Sequence, residues 1–400
     1  MMKNLPTNEQ QDNLPARHCW PADPQRVPSQ PRIRVAREQV ERRIVCRAFH
    51  RYISHNRILR RFGLVVVDQR RRVTAISELG LMNIVVLDGY TLNPGDNPWR
   101  DLDEFGSLTV YDRTKPDELL SRAFDADILL TNKTPIGREQ VAHLPKLKFI
   151  SVLATGYNVV DVVALQGRGI PVSNVPSYGT DSVAQHVMAM LLELCNHVGE
   201  HSRSVSAGEW ASCPDFCYWK HSSVDLLGLS LGIIGLGRIG LRVAELGLAF
   251  GMKLLYAAPT PKKNLALPIV HRPLEQLFAE ADIVSLHCTQ TAENYQFVNR
   301  NLLSLMKPSA FLINTARGTL VNESHLAQAL GEKQITGAAL DVLSVEPPLA
   351  DNPLIGAPNC LITPHMAWSS LSARKRLMQI TVGNVRAFLA GKPINRVDGA

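Results

Sequence analysis

From Met82 onward the chain alternates short apolar runs with polar, turn-rich segments. Ile84-Val85-Val86-Leu87, Asp127-Ile128-Leu129-Leu130 and Phe149-Ile150-Ser151-Val152-Leu153 each have the length of a strand buried on both faces. After Asn174-Val175-Pro176-Ser177 the period becomes helical. Val183, Val187, Met190, Leu191 and Leu194 share one side of a stretch from 181 to about 201, a connector between domains. A second series starts at Leu229, with strands predicted near 231–234, 253–256, 282–287, 310–314 and 336–340 and helices between them. A last helix is expected from about 369 to 389. Strand–helix alternation of this kind predicts an α/β fold with parallel sheets.

Residues 1–81 do not follow the pattern. Through about Arg34 they are rich in Pro, Gln, Asn and Asp and read as disordered. From Arg37 to Arg72, arginines alternate with Val40, Ile44, Val45, Phe49, Ile53 and Leu59, as in a short basic amphipathic helix. The compact apolar run 62–67 is too short, and follows too many arginines, for a secretory signal. The first expectation is that Met82 is the natural start, because a strand follows it almost at once. A disordered tail, a targeting peptide and a tail for acidic partners are the alternatives.

Charge adds little for the body of the chain. The net +7 comes from 16 Lys/Arg against 7 Asp/Glu before Met82, while the remainder has 27 against 29, so no nucleic-acid partner is expected. Seven scattered cysteines suit free thiols in a reducing compartment, the cytoplasm, rather than a disulfide framework. No apolar run approaches the roughly 18 residues of a membrane span, so a soluble protein without membrane contact is expected.

Gly235-Leu236-Gly237-Arg238-Ile239-Gly240 follows an apolar strand and opens a helix through about Phe250. Gly235 permits a tight turn, Gly237 lets a pyrophosphate approach the backbone, and Gly240 allows helix and strand to pack closely. The strand–turn–helix setting makes this a dinucleotide fingerprint. An acid is expected at the end of the next strand, about 20 residues on, to hold the adenosine ribose. Ala258 stands there, with Lys262 and Lys263 beyond it. The lysines could receive the 2′-phosphate of NADP or be solvated loop charges, so the cofactor is NAD(H) or NADP(H).

Three later segments place reactive groups just past strand ends: Asn314-Thr315-Ala316-Arg317-Gly318, Asp341-Val342-Leu343-Ser344-Val345-Glu346-Pro347 and Thr363-Pro364-His365-Met366-Ala367-Trp368. In an open parallel sheet such loops converge on the ligand crevice. Together with the fingerprint, they make the chain resemble the D-isomer-specific 2-hydroxyacid dehydrogenase family, over essentially all of 82–399.

The resemblance implies a Rossmann-type dinucleotide domain, 181–366, inserted into a flavodoxin-like substrate domain made of 82–180 and 367–400. It implies Arg317 as substrate-binding arginine, Glu346 as the acid that holds the histidine, and His365 as proton donor. Implied cofactor contacts are Gly235, Gly237, Arg238, Ile239, Gly240, Ala258, Thr289, Thr315, Ala316 and Asp341. Implied substrate contacts are Thr155, Gly156 and Tyr157 together with Arg317, and a homodimer is implied as well. Within the family the likeness is strongest to glycerate dehydrogenases (hydroxypyruvate reductases), through residues 85–94, Asp215-Phe216-Cys217-Tyr218-Trp219 and Trp368. Glyoxylate reductase, phosphoglycerate dehydrogenase and a nucleotide-sensing co-repressor remain alternatives. Cys213, Cys217 and His221 are too few for a convincing metal site, and no metal is expected.

Overall fold

A computed structural model describes residues 82–399; the expectations for residues 1–81 lie outside the described residues. Two parallel sheets organise the described residues. The first contains β1 (Met82–Val86), β2 (Gly106–Val110), β3 (Ile128–Thr131), β4 (Phe149–Val152) and β5 (Val172–Ser173), in the order β2-β1-β3-β4-β5. Every residue of β3 and β4 is buried, which is why these strands read as unbroken apolar runs. The helix Leu371–Leu389 closes one face of this sheet. Its Leu377, Met378, Val382 and Val385 pack with Ile84, Val86 and Ile128, and Phe388 stacks on Phe149 at 4.5 Å.

The second sheet contains β6 (Ser230–Ile234), β7 (Lys253–Ala257), β8 (Ile269–His271), β9 (Ile283–Leu286), β10 (Phe311–Asn314), β11 (Gly337–Leu340) and β12 (Cys360–Ile362). Its order is β12-β11-β10-β9-β6-β7-β8, with every pairing parallel. The chain leaves β6 toward β7 and β8, then returns to β9 on β6's other side. That reversal opens a crevice beyond the carboxyl ends of β6 and β9, where such sheets bind ligands.

Residues 181–201 do not form the single helix that the apolar period predicts. The helix Thr180–Asn196 ends at His197, whose backbone is left-handed (φ 50°, ψ 40°), and a second helix, Val198–Ser206, begins there. The reason is local. The His197 amide donates to the Glu193 carbonyl, and the Gly199 amide donates to both Glu193 carboxylate oxygens at 3.1 and 3.2 Å, which turns the chain. Two edge strands also escape the apolar pattern. β2 and β8 alternate partly buried with exposed residues, because an edge has less apolar surface to cover. No helix among the described residues is long and apolar enough to cross a membrane.

Candidate active site

A cleft of about 430 Å³ opens at the carboxyl ends of the strands, lined by loops of both sheets. On the second sheet, the turn after β6 leads into the helix Arg238–Ala249. Gly235 has φ +92°, and a Cβ there would lie 2.6 Å from the Cys288 amide nitrogen, so only glycine can pass the loop after β9. Gly237, by contrast, lines the cleft with open space around it. No side chain caps the helix, so its first amides stay available to an anion. Thr315 Oγ1 is buried and lacks a hydrogen-bond partner among the described residues. An open turn, an uncapped helix start and an orphaned hydroxyl fit a dinucleotide held by Gly237, Arg238, Ile239, Thr315 and Asp341. Lys262 donates from Nζ to the Leu236 carbonyl and so places a cation at the same turn.

The loop after β10 carries Arg317. Buried Asn314 shapes it, accepting from the Ala316 amide at 3.0 Å and donating to the Arg317 carbonyl at 2.8 Å. A Cβ on Gly318 would lie 1.9 Å from the Leu343 carbonyl carbon, so this turn presses directly on the loop after β11. That second loop presents Glu346, whose Oε1 accepts from the Leu343 amide at 3.0 Å and whose Oε2 lies 2.5 Å from His365 Nδ1. An ionised carboxylate only accepts, so Nδ1 is the donor and Nε2 remains for the cleft. Burial works to raise the Glu346 pKa. The hydrogen bond and charge of His365, with the Leu343 amide and Lys133, outweigh it and hold the carboxyl below its ordinary range.

His365 has a left-handed backbone (φ 51°), and Asp341 keeps it there. The Asp341 carbonyl accepts from the His365 amide at 2.8 Å, while its carboxylate accepts from the Met366 and Ala367 amides at 2.8 and 2.9 Å. The Thr363 hydroxyl also donates to Asp341 at 2.6 Å, so His186 Nε2, 3.0 Å away, must be the donor to Thr363 Oγ1. Asp341 therefore lines the cleft while its carboxylate shapes the His365 loop.

The first sheet contributes the loops after β3 and β4. The Thr155, Gly156 and Tyr157 amides donate to no acceptor among the described residues, and the Arg317 Nη2 atom would sit 2.6 Å from a Cβ on Gly156. Free amides beside a guanidinium suit a carboxylate. Lys133, after β3, lines the same cleft.

Of the predicted residues, Thr155, Gly156, Gly237, Arg238, Ile239, Thr315, Arg317, Asp341 and His365 line the cleft. Glu346 touches it through His365, and Gly235 and Gly240 support the turn from behind. Tyr157, Ala258, Thr289 and Ala316 lie off the lining. Thr289 is exposed, its carbonyl accepting from the Asn294 side chain, and Gln290 faces the cleft instead. Sequence reasoning missed Lys133, His186 and His287. Burial pushes the His287 pKa down to about 4, so its ring is neutral near pH 7. The Cys213, Cys217 and His221 spacing does not form a cluster. The structure groups His221 with His197 and Glu200, their ligand atoms within 4.8 Å of one another.

Comparison with known proteins points to one family. The family model "D-isomer specific 2-hydroxyacid dehydrogenase, NAD binding domain" matches residues 188–367. The chain is 46% identical to a hydroxypyruvate reductase of Blautia hydrogenotrophica, over 79% of this chain and 100% of that protein. Among solved structures, it resembles a D-lactate dehydrogenase of Aquifex aeolicus complexed with NAD and lactic acid, at 30% identity and TM-score 0.70, over 80% of this chain and 100% of that one. It also resembles an NADPH-dependent glyoxylate/hydroxypyruvate reductase of Sinorhizobium meliloti complexed with NADP and malonate. There the identity is 28% and the TM-score 0.67, over 80% of this chain and 97% of that one.

Proposed function

The chain belongs to the D-isomer-specific 2-hydroxyacid dehydrogenase family, and from that premise we propose that it interconverts hydroxypyruvate and D-glycerate with NADH or NADPH. The carrying observation is the 2.5 Å Glu346–His365 contact at the wall of a cleft that also holds Arg317. Arg317 and the Thr155 and Gly156 amides hold the substrate carboxylate, and the guanidinium polarises the carbonyl as negative charge builds on its oxygen. When bound, the reduced nicotinamide supplies the hydride that C2 accepts. His365 delivers a proton from Nε2 to the carbonyl oxygen, and Glu346 holds the ring through Nδ1. The reverse reaction needs neutral His365, so oxidation is favoured at higher pH.

The 46% identity to a hydroxypyruvate reductase supports the substrate. The alanine at 258 and the Lys262 cation at the dinucleotide turn support use of NADPH beside NADH. The two separate sheets support a division into a substrate domain (82–180 and 367–400) and a dinucleotide domain (181–366). A homodimer would cover Phe216 and Trp219, which are 89% and 70% exposed. Five free cysteines among the described residues suit the cytoplasm.

The test is a spectrophotometric assay of hydroxypyruvate, glyoxylate and pyruvate with NADH and NADPH in parallel. Hydroxypyruvate is expected to give the highest kcat/KM. Oxidation of neither cofactor with any of the three acids would overturn the proposal.

A further inference from the structure

Among the described residues, Lys133 is the one cation in the cleft that neither the reaction nor the dinucleotide turn gives a task. It sits directly after β3, in a loop that cannot wander. The Asp88 carboxylate accepts from three successive amides, those of Asn132 at 2.7 Å, Lys133 at 2.5 Å and Thr134 at 2.7 Å. The Thr131 hydroxyl closes the same turn on the Thr134 carbonyl at 2.9 Å, and Asn132 Nδ2 reaches Thr91 Oγ1 at 3.0 Å. The loop is thus built to present its exposed side chain from a fixed base, and that side chain lines the cleft beside Arg317 and His365.

Among the described residues, the Lys133 ammonium makes no hydrogen bond and no ion pair. Although the side chain is exposed, partial desolvation by the cleft walls pushes its pKa down and the Arg317 charge acts the same way, while Glu346 and Asp88 pull only partly against them. Exposed and without a protein acceptor, the ammonium is a hydrated donor in the cleft wall whose water a substrate oxygen can replace. Arg317 and the Thr155 and Gly156 amides already account for the substrate carboxylate, and His365 for the carbonyl oxygen. The atom still unclaimed on a small 2-keto acid is a substituent on C3.

We propose that Lys133 is a specificity-determining residue that donates a hydrogen bond to an oxygen on C3 of the substrate, so that the site selects 3-oxygenated 2-keto acids over those with a bare C3 or none. This inference rests on the reading of the cleft as a keto-acid site. The physical basis is asymmetric. A charged donor aimed at a substrate oxygen rewards the acid that carries it and stays unpaired with the acid that lacks it, and such a mismatch discriminates far better than apolar fit.

The experiment compares wild type, Lys133→Met and Lys133→Arg on hydroxypyruvate, pyruvate and glyoxylate. Calorimetric binding of D-glycerate and D-lactate to the cofactor-loaded protein gives a readout that does not depend on turnover. Lys133→Met is expected to lower kcat/KM for hydroxypyruvate about 10- to 100-fold, the size of one lost charge-assisted hydrogen bond. Pyruvate and glyoxylate should change by less than about threefold. D-Glycerate should lose affinity by a similar factor to hydroxypyruvate, with D-lactate little changed. Lys133→Arg should recover part of the preference. An equal loss on all three acids would assign Lys133 to the shared carboxylate and overturn the proposal, as would a Lys133→Met profile matching wild type. A wild type inactive on every acid would instead overturn the dehydrogenase reading itself. The thermal midpoint of Lys133→Met separates these outcomes from misfolding.

Discussion

The two sheets furnish the same cleft by different means. Loops of the second sheet bring side chains that are locked to one another: Glu346 on His365, Asp341 on the backbone around His365, and Thr363 between Asp341 and His186. Loops of the first sheet bring unpaired amides at Thr155–Tyr157 and one lysine on a loop clamped by Asp88. Moving a proton demands a ring held at one angle, which interlocking side chains supply. Grasping a small anion demands only a loop of the right shape with donors turned inward. The second sheet is therefore where chemistry is expected to fail on mutation, and the first is where recognition is expected to fail.

The largest effect should come from His365→Ala. Turnover with hydroxypyruvate is expected to fall roughly 10²- to 10⁴-fold, the range for loss of a positioned acid–base group. Cofactor affinity, read by quenching of protein fluorescence, should stay within about twofold, since no part of the dinucleotide turn involves this ring. Turnover retained at the wild-type level would remove the chemical role from the second sheet altogether.

How far the sequence reveals this division depends on what each role requires. Arg317, Glu346 and His365 are polar residues just beyond apolar strands, a placement visible in one dimension. Gly235 and Gly240 were equally visible, because a turn squeezed against the Cys288 amide tolerates little else. Lys133 was not, because a single lysine in a short loop looks like any solvated charge until Asp88, 45 residues earlier, is seen to pin its amide. Asp341 was found but placed only partly, since its hydrogen bonds to residues 363–367 depend on β11 and β12 lying side by side. The break at His197 was missed because the apolar positions that carry the period end at Leu194, while the second helix buries only Ser204 and so adds no apolar signal of its own.

Glu346→Gln sharpens the comparison through pH. Removing a charge-assisted hydrogen bond to His365 should lower kcat about 10- to 100-fold near neutrality, with a smaller effect on KM. The Glu346 carboxyl has its folded pKa depressed below the ordinary 4.5. Its interaction is therefore complete above the unfolded value and is lost as pH falls through the lower folded value. Wild type should show an acid limb below about 4.5 in both stability and turnover, and Glu346→Gln should lack that component. An identical acid limb in both proteins would detach Glu346 from His365.

Gly156→Ala tests the point where the first sheet's loop meets Arg317 of the second. The added methyl would lie 2.6 Å from Arg317 Nη2, the far end of a flexible side chain, so the fold yields easily but the guanidinium moves. KM for hydroxypyruvate is expected to rise about tenfold through misplacement of that group, with the thermal midpoint little changed. If kcat fell and KM held, the loop after β4 would belong with the chemistry and the contrast between the sheets would dissolve.

The smallest effect is assigned to Thr363→Val, because the Thr363 hydroxyl reaches His365 only through Asp341. Valine keeps the shape of threonine but removes the hydroxyl that accepts from His186 and donates to Asp341 at 2.6 Å. Asp341 would retain the Met366 and Ala367 amides, so the left-handed backbone at His365 keeps two of its carboxylate supports. One neutral-to-charged hydrogen bond in a network of this size corresponds to roughly 1 kcal/mol, or about fivefold in kcat. His186→Ala should produce a comparable loss, and the double variant should lose less than the product of the two, because both act through the same oxygen. Independent, fully multiplicative losses would show that His186 acts on the cleft by another route, and that the second sheet's side chains are less interlocked than their hydrogen bonds imply.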